Sequence, residues 1–398
     1  MKRMILIAAL AMMVSDAALA QSQPQASSPT PVTINPDNAA RLRQVGAEVL
    51  FWSQEQRDRN FPAMETLFPG HVVKAGPKVL PLPAGKPLPI AAADVDQAIR
   101  DLNIAGLIVV QDGKVRLERY ARGYSAQGRW TSFSVAKSFT STLVGAAVRD
   151  GYIKSIDDPV TRYIPDLAGG GYDGVTVRQV LTMTSGVKWN EDYTDPRSDV
   201  ARMFSEEVPA GQDPTVWYMR KLPREAAPGS KWVYKTGETN LIGVLVERAT
   251  GKSLADYLSE KVWKPWGMER DAFWMVDPAG HEVSGCCLSV SLRDYARMGL
   301  FALSGGKGVV PDGWFARATT NQIPQGTGDA DGRGYGYQWW VLPEGRYAAV
   351  GIFGQSIMVD PARKLVVAIS GAWPAATGKE LSAARNAFWA RLEAAAAK

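Results

Sequence analysis

A serine and a lysine three residues apart are the first candidates for chemistry in this chain of 398 residues. Ser134 and Lys137 stand in the stretch Ser-Val-Ala-Lys, and apolar residues recur after them at helical spacing until Gly151. Residues three apart share one face of a helix, so the amine would lie beside the hydroxyl. A lysine kept neutral by burial can take the hydroxyl proton, and the free N–H groups at a helix start favour an oxyanion. The pattern predicts a nucleophile and its base, with a simple N-cap serine as the alternative.

The composition excludes most other hydrolytic sites. The chain has two histidines, His71 and His281, and no Gly-x-Ser-x-Gly turn, so a Ser-His-Asp hydrolase is not predicted. It also has no phosphate-binding loop, no dinucleotide fingerprint and too few histidines for a His-rich metal site. Its 45 basic and 40 acidic residues form no basic block interleaved with aromatics, so nucleic acid is not an expected partner. We therefore expect Lys137 to be the base of any hydrolysis, with neither metal nor cofactor.

The N-terminal region has the features of a targeting segment. Residues 1–20 combine a basic start, an apolar run and the small residues Ala18-Leu19-Ala20, which is the pattern of a secretory signal peptide. A retained membrane anchor is the alternative. Residues 21–93 are predicted to be an N-terminal extension with a Pro-rich connector. We expect an exported protein, periplasmic or extracellular, with no stable membrane anchor after cleavage.

Hydrophobic periodicity predicts the elements that must position Ser134 and Lys137. Asp112-Gly113 separates two strand-like runs and indicates a hairpin, and the last third of the chain shows short strand-like runs before a final helix. The intervening region, about 135–290, is mostly helical in pattern, except for a predicted short strand at 232–237. We therefore predict an α/β (α+β) fold over residues 94–396, in which helices flank one mixed antiparallel sheet and the helical part is an inserted lobe.

Two further features of this region are a helix after the predicted short strand and a pair of cysteines. Thr239 or Asn240 is predicted to cap that helix, which should end at Gly251. Cys286 and Cys287 are adjacent, and a disulfide between neighbours needs a strained ring. We expect two small buried thiols, with a vicinal disulfide as the minor alternative. Without a nearby histidine the pair makes a poor zinc site.

Further motifs follow Ser134 in a fixed order. Tyr234-Lys235-Thr236 comes one hundred residues later, and the segments 181–186, 250–254, 264–268 and 351–355 flank it. Jointly, these motifs resemble the serine β-lactamase and penicillin-binding-protein superfamily in its class C-like branch. The resemblance is greatest to the 6-aminohexanoate-dimer hydrolases (nylon-oligomer hydrolases) and related esterases, and it covers about residues 95–395. It implies a β-lactamase/transpeptidase-like fold and no metal or cofactor.

The resemblance also implies a role for each matching residue. Ser134 would be the acylated nucleophile, and Lys137 and Tyr234 would share its proton as a coupled pair. The backbone N–H groups of Ser134 and Gln355 would form the oxyanion hole. The implied substrate-side candidates are Tyr193, Thr236, Ile352, Phe353 and Gly354.

One departure from the family pattern limits the class of substrate that we expect. The family's third motif usually begins with Lys or His, whereas the matching place here is Ile352-Phe353-Gly354 and has no cation for a β-lactam carboxylate. The letters Lys-Thr-Gly at 235–237 stand directly after the tyrosine motif, and we interpret them as coincidence. We therefore expect a small uncharged ester or amide as substrate. The alternatives are a class C-like β-lactamase or D-peptidase and, in another class, a non-catalytic penicillin-binding-type sensor. The oligomeric state stays open.

Overall fold

A seven-stranded antiparallel sheet is the central element of the computed structural model. Its strand order is β3-β2-β11-β10-β9-β8-β7. The strands are β2 (Ile104–Gln111), β3 (Lys114–Tyr120), β7 (Gly334–Tyr335), β8 (Trp340–Val341), β9 (Tyr347–Val350), β10 (Ser356–Asp360) and β11 (Leu365–Gly371). The predicted hairpin is present, and Asp112 and Gly113 take the positive φ values that its tight turn requires. The predicted C-terminal meander is present as well.

The structure describes residues 44–46, 48–324, 328 and 333–398. The predicted signal peptide, 1–20, lies outside the described residues, as does the extension up to residue 43. All described residues belong to a single compact unit. None of the helices formed by these residues is long and apolar enough to span a membrane.

A second, four-stranded sheet takes two of its strands, the third and fourth along the chain, from the part that was predicted to be helical, and the other two from segments before it. It has the order β1-β5-β6-β4, with β1 (Gly70–Val73), β4 (Trp130–Thr131), β5 (Ala272–Met275) and β6 (Leu288–Val290). The prediction of one sheet missed it because strands of two to four residues are too short to show an alternating pattern. This sheet connects the segment before Ser134 to the segment after the two cysteines.

Twelve α-helices lie entirely within the described residues. They are α1 (Gln54–Asn60), α2 (Ala92–Asp101), α3 (Ala136–Arg149), α4 (Val177–Leu181), α5 (Asp199–Ser205), α6 (Pro214–Met219), α7 (Thr236–Thr250), α8 (Leu254–Leu258), α9 (Lys264–Trp266), α10 (Leu292–Leu303), α11 (Trp314–Ala318) and α12 (Lys379–Ala396). Short 3₁₀ turns precede α3 and follow β9. The helical region thus matches the predicted one in place, although the chain there is broken into shorter pieces.

Strand β2 shows why the sheet has a continuous apolar sequence. Leu107 and Val109 face a layer that contains α2 and α12, whereas Ile108 and Val110 face the larger core on the other side. Successive side chains of a strand point to opposite faces, so a strand covered on both sides must be apolar at every position. The terminal helices therefore cover one face, and the helical region with Ser134 covers the other.

Two details of the predicted helical region are wrong. Residues 232–235 form no strand, and α7 begins at Thr236 rather than near Thr239 or Asn240. The misplaced start has a physical cause, because the first turn of α7 is held by side chains from other segments instead of by a local N-cap. Its predicted end is confirmed, since Gly251 is left-handed with φ 68°.

Helix α10 contacts the central sheet through Gly299. A Cβ at this position would lie 2.4 Å from Val366 Cγ1 and 3.0 Å from Ile357 Cγ2. Gly299→Ala should therefore reduce the free energy of unfolding by about 1–3 kcal/mol through overpacking. Urea unfolding with an unchanged m-value measures the loss. Gly46→Ala is the matched control, because its Cβ would have only one contact, 4.0 Å from Phe68. Wild-type stability of Gly299→Ala would disprove the close packing.

Candidate active site

Ser134 lies in a 3₁₀ turn, Phe133–Val135, that leads directly into α3. Strand β4 brings the chain to this turn, and the Ser132 hydroxyl fixes the turn to the second sheet by accepting the Leu288 N–H at 3.1 Å. The Phe133 ring packs on Phe61 and Phe353, with centroid distances of 5.1 and 5.2 Å. The serine is thus held at the start of a buried helix, at the edge of a cleft, and is 8% exposed.

The Lys137 amine has three oxygen partners. Its Nζ lies 3.0 Å from Ser134 Oγ, 3.1 Å from Thr236 Oγ1 and 2.6 Å from the Gly285 carbonyl oxygen. The residue is only 1% exposed. Burial lowers the pKa of Lys137 to about 8, against the opposing charge of Glu191. A neutral amine is therefore available near neutral pH, which the sequence pattern required of a base.

The partners of Lys137 determine where its lone pair points. A neutral amine has two N–H donors and one lone pair, whereas the ammonium has three donors. The Gly285 carbonyl can only accept, and the Thr236 hydroxyl donates its own proton to Glu191 and so also accepts from Lys137. These two acceptors occupy both N–H groups of the neutral amine. The lone pair is then directed at Ser134 Oγ.

Tyr234 lies on the other side of the nucleophile. Its ring centroid is 5.3 Å from Lys137 Nζ, and its phenol is close enough to Ser134 for the serine hydroxyl to affect its pKa. The ring stacks on Trp340 with a centroid distance of 5.5 Å. Burial, and then the Glu191 charge, raise the pKa of Tyr234, while the Ser134 hydroxyl opposes the rise. The phenol therefore stays protonated. The structure brings together Ser134, Lys137 and Tyr234, and their roles stay predictions.

Glu191 is a central residue that sequence reasoning did not single out. Its carboxylate accepts hydrogen bonds from the Thr236 backbone N–H at 2.8 Å, the Thr236 hydroxyl, the Trp189 indole and the Tyr193 hydroxyl at 2.7 Å. It lies in a polar loop with Asp192 and Asp195, and nothing in the sequence distinguishes these three acids. Its contacts depend on the fold, because the loop packs against the first turn of α7.

The substrate-side candidates do not all reach the cleft. Tyr193, Thr236 and Ile352 line it together with Ser134. Phe353 is fully buried behind the wall, and Gly354 packs against the Trp373 indole with φ 93°. These two residues support the wall from behind instead of facing a substrate, because the chain turns away from the cleft after Ile352.

Gln355, predicted to supply an oxyanion-hole N–H, is buried and does not line the cleft. Its side-chain amide accepts from the Gly371 N–H at 2.9 Å and donates to the Gly371 carbonyl at 2.6 Å. Gly351 comes closer to the nucleophile, since a Cβ built on it would lie 3.1 Å from the Ser134 nitrogen. Within residues 351–355, Gly351 and Ile352 therefore lie beside the serine, whereas Gln355 does not line the cleft.

The cleft beside Ser134 has a volume of about 330 Å³ and a mostly apolar lining. Its size falls within the usual range for small-molecule sites. Among the described residues, the lining contains no Lys or Arg and three acids, Glu206, Asp277 and Glu282. Each acid already has partners within the protein: Glu206 pairs with Lys221, Asp277 accepts backbone N–H groups, and Glu282 bonds His71.

The two cysteines correct the sequence-based expectation. Cys286 and Cys287 are joined in a vicinal disulfide, which we had considered the minor alternative to two free thiols. The pair lines the cleft and directly follows Gly285, the acceptor of Lys137. Within the part of the chain that the structure describes, no group of three or more His, Cys, Asp or Glu side chains is arranged to hold a metal ion.

Sequence comparisons identify relatives over most of the chain. The Beta-lactamase family model matches residues 93–390. A 6-aminohexanoate-dimer hydrolase from Paenarthrobacter ureafaciens is 31% identical over 305 residues, which cover 71% of this chain and 76% of the relative. Esterase EstB from Burkholderia gladioli is 31% identical over 202 residues, which cover 46% of this chain and 50% of the relative.

Solved structures show the same fold. A Bacillus anthracis protein provisionally assigned as a 6-aminohexanoate-dimer hydrolase superposes with a TM-score of 0.75 at 21% identity, over 91% of this chain and 98% of that chain. A family VIII carboxylesterase superposes with a TM-score of 0.60 at 16% identity, over 77% and 99%. The predicted β-lactamase/transpeptidase-like architecture is thereby confirmed.

The opposing effects of burial and Glu191 can be measured at Lys137. In protein labelled with ¹³C at lysine Cε, the signal absent from Lys137→Met should titrate with a midpoint near 8. Because the Glu191 carboxylate raises the pKa of Lys137, Glu191→Gln should move this midpoint to lower pH. Asp192→Asn, an exposed neighbour in the same loop, is the matched control and should leave it unchanged. A wild-type midpoint at the ordinary lysine value would contradict the site description.

Proposed function

The chain belongs to the beta-lactamase family and is a serine hydrolase of that superfamily, and we propose that it cleaves uncharged esters or amides through an acyl-enzyme on Ser134. The main support for this proposal is that two acceptors bind the Lys137 N–H groups and leave its lone pair facing Ser134 Oγ. The named activities of the relatives, an amide-cleaving hydrolase and an esterase, support this class of reaction.

Acylation begins when the neutral Lys137 amine accepts the Ser134 proton and the serine oxygen attacks the substrate carbonyl. The carbonyl carbon becomes tetrahedral, and its oxygen carries the negative charge. Collapse breaks the bond to the alcohol or amine, which leaves with a proton supplied by the coupled Lys137–Tyr234 pair. A water molecule then attacks the acyl-enzyme by the same route and releases the acid. The neutral amine that starts the cycle becomes more abundant as pH rises through about 8.

The developing oxyanion needs two N–H donors. One is the Ser134 N–H, at the start of α3, where the helix dipole also favours negative charge. We propose the Ile352 N–H as the second donor in place of that of Gln355, because Ile352 lines the cleft with Ser134 and Gln355 does not.

The cleft wall favours a substrate without a charge near the reacting carbonyl. Burying a carboxylate without a cation is costly, and the described lining offers neither Lys nor Arg. An ammonium group would have to compete for acids that already hold protein partners. Uncharged acyl groups therefore fit best, and esters are easier substrates than amides because an alcohol leaves with less help from proton transfer.

We also propose that the mature protein is exported, with no stable membrane anchor. The proposal rests on residues 1–20 and is supported by the Cys286–Cys287 disulfide, since disulfides persist mainly in oxidising compartments. The substrate proposed as its partner is a small molecule, not a nucleic acid.

Removing the nucleophile tests the acyl-enzyme. Ser134→Ala should lower kcat for p-nitrophenyl butyrate by several orders of magnitude and remove the acylation burst, with an unchanged circular-dichroism spectrum. Ser138→Ala is the matched control: Ser138 lies one turn further along α3 and bonds the Gln338 carbonyl, away from the cleft. More than about a tenth of wild-type turnover in Ser134→Ala would exclude this nucleophile. A stoichiometric burst without turnover in the wild type would instead indicate the sensor.

The uncharged wall at Ile352 predicts the order of substrates. We expect kcat/KM to be highest for p-nitrophenyl butyrate, lower for the linear 6-aminohexanoate dimer and lowest for nitrocefin, whose carboxylate finds no cation. Ile352→Lys should raise the ratio of nitrocefin to ester kcat/KM, whereas Ile352→Leu should leave it unchanged. A wild-type preference for nitrocefin of tenfold or more, about 1.4 kcal/mol in transition-state binding, would overturn the substrate proposal.

A further inference from the structure

The turn that carries the vicinal disulfide lies between the catalytic lysine and the second sheet. Gly285, Cys286 and Cys287 follow one another immediately before β6. Cys286 is partly exposed in the cleft, whereas Cys287 is buried and has a φ of 72°. A non-glycine residue in this left-handed region needs support from its surroundings. Here the covalent ring between the two side chains supplies part of that support.

Helices α3 and α7 fix the residues before the ring. The Gly285 N–H donates to Asn240 Oδ1 at 2.6 Å, and the Ser284 carbonyl accepts from Thr140 Oγ1 at 2.8 Å. A Cβ on Gly285 would lie 2.9 Å from Thr236 Cγ2, so the turn is in close contact with the first turn of α7. The Gly285 carbonyl thus has little freedom while the next two residues are held.

The ring residues themselves are held by the second sheet. The Cys286 carbonyl accepts from the Trp274 indole at 3.2 Å, and the Cys287 carbonyl accepts the Met275 N–H at 3.1 Å. The ring contains the peptide unit between Cys286 and Cys287 and limits its rotation, so it restricts the backbone directly after the Gly285 carbonyl. That carbonyl is 2.6 Å from Lys137 Nζ and has the shortest contact of the three.

We propose that the Cys286–Cys287 disulfide is a redox-sensitive positioning element for Lys137, acting through the Gly285 carbonyl. The inference rests on the proposed function of Lys137 as the base. While the ring is closed, Gly285 and Thr236 occupy the two N–H groups of the neutral amine, and its lone pair faces Ser134. When the ring opens, the turn gains freedom, and the contact between the amine and its closest acceptor weakens.

The redox step needs a dithiol as reductant. The dithiol gives two electrons and two protons to the Cys286–Cys287 bond, which becomes two thiols, and the dithiol closes to its own disulfide. Oxidation reverses the exchange. Neither cysteine reacts with the substrate, so the pair changes the rate only through the geometry of the lysine.

The test compares oxidised and dithiothreitol-reduced mature protein, with free thiols counted by a chromogenic thiol reagent. Reduction should lower kcat for p-nitrophenyl butyrate about tenfold, with less than a twofold change in KM. It should also shift the Cε signal assigned to Lys137. The double variant Cys286→Ser, Cys287→Ser should match the reduced wild type in kcat and in the Lys137 signal, and should not respond to dithiothreitol.

Several results would overturn the proposal. One is a protein with two free thiols that retains kcat within twofold and shows an unshifted Lys137 signal. Another is a rise in KM alone, which would make the pair part of the cleft wall and nothing more. If the disulfide resists reduction, the double variant decides, and wild-type kcat in that variant excludes the positioning role. The two proposals can fail separately. Ser134→Ala tests whether Ser134 is the nucleophile, whereas the Lys137 signal reports the effect of the disulfide on the lysine without any turnover.

Discussion

The proposed catalytic site depends on one buried amine. Lys137 is almost fully enclosed, and burial penalises its charged form strongly enough to lower its pKa from 10.5 to about 8. At 1.36 kcal/mol per pKa unit, this shift corresponds to about 3 kcal/mol of net disadvantage for the ammonium relative to water. The Glu191 charge keeps the penalty from becoming larger, and the Thr236 hydroxyl that bonds Glu191 is also one of the groups that orient the amine toward Ser134. Desolvation and orientation therefore arise from a single arrangement.

That arrangement requires parts of the chain far apart in sequence. The 3₁₀ turn before α3 supplies the serine, α3 supplies the lysine, α7 supplies Thr236, and the turn before β6 supplies Gly285. Helix α3 packs against both α7 and the segment that leads to the cysteines. The short second sheet matters for this reason, since it joins the strand before Ser134 to the strand after Cys287. The larger sheet contributes the wall at Gly351–Ile352 and a rigid base beneath the helical region.

How well a feature of the fold or the site could be predicted depends on how close in sequence the residues that determine it lie. The hairpin at Asp112-Gly113, the C-terminal meander, the end of α7 at Gly251 and the contact between Ser134 and Lys137 depend on residues close in sequence, and the structure contains all of them. The second sheet depends on pairing between β1 and β5, two hundred residues apart, and strands this short have no periodicity to detect. Glu191 was not predicted for a similar reason, because its role depends on contacts with α7 that its loop sequence does not reveal. For Cys286 and Cys287 we expected two free thiols because vicinal disulfides are rare in general, and the less expected alternative proved correct.

The balance between burial and Glu191 explains why an acid lies so near a base that must be neutral. An unpaired buried lysine would lose its proton readily, but it would also be a weaker base, because a lower pKa means a smaller driving force for accepting the serine proton. The Glu191 carboxylate raises the pKa of Lys137 without bonding it directly, since Thr236 lies between them in the hydrogen-bond chain. Burial, and then the same carboxylate, raise the pKa of Tyr234, so the phenol stays protonated near Ser134. The charge of Glu191 therefore supports both proton-transfer roles that we propose, an amine that accepts the serine proton and a phenol that keeps its own until it is needed.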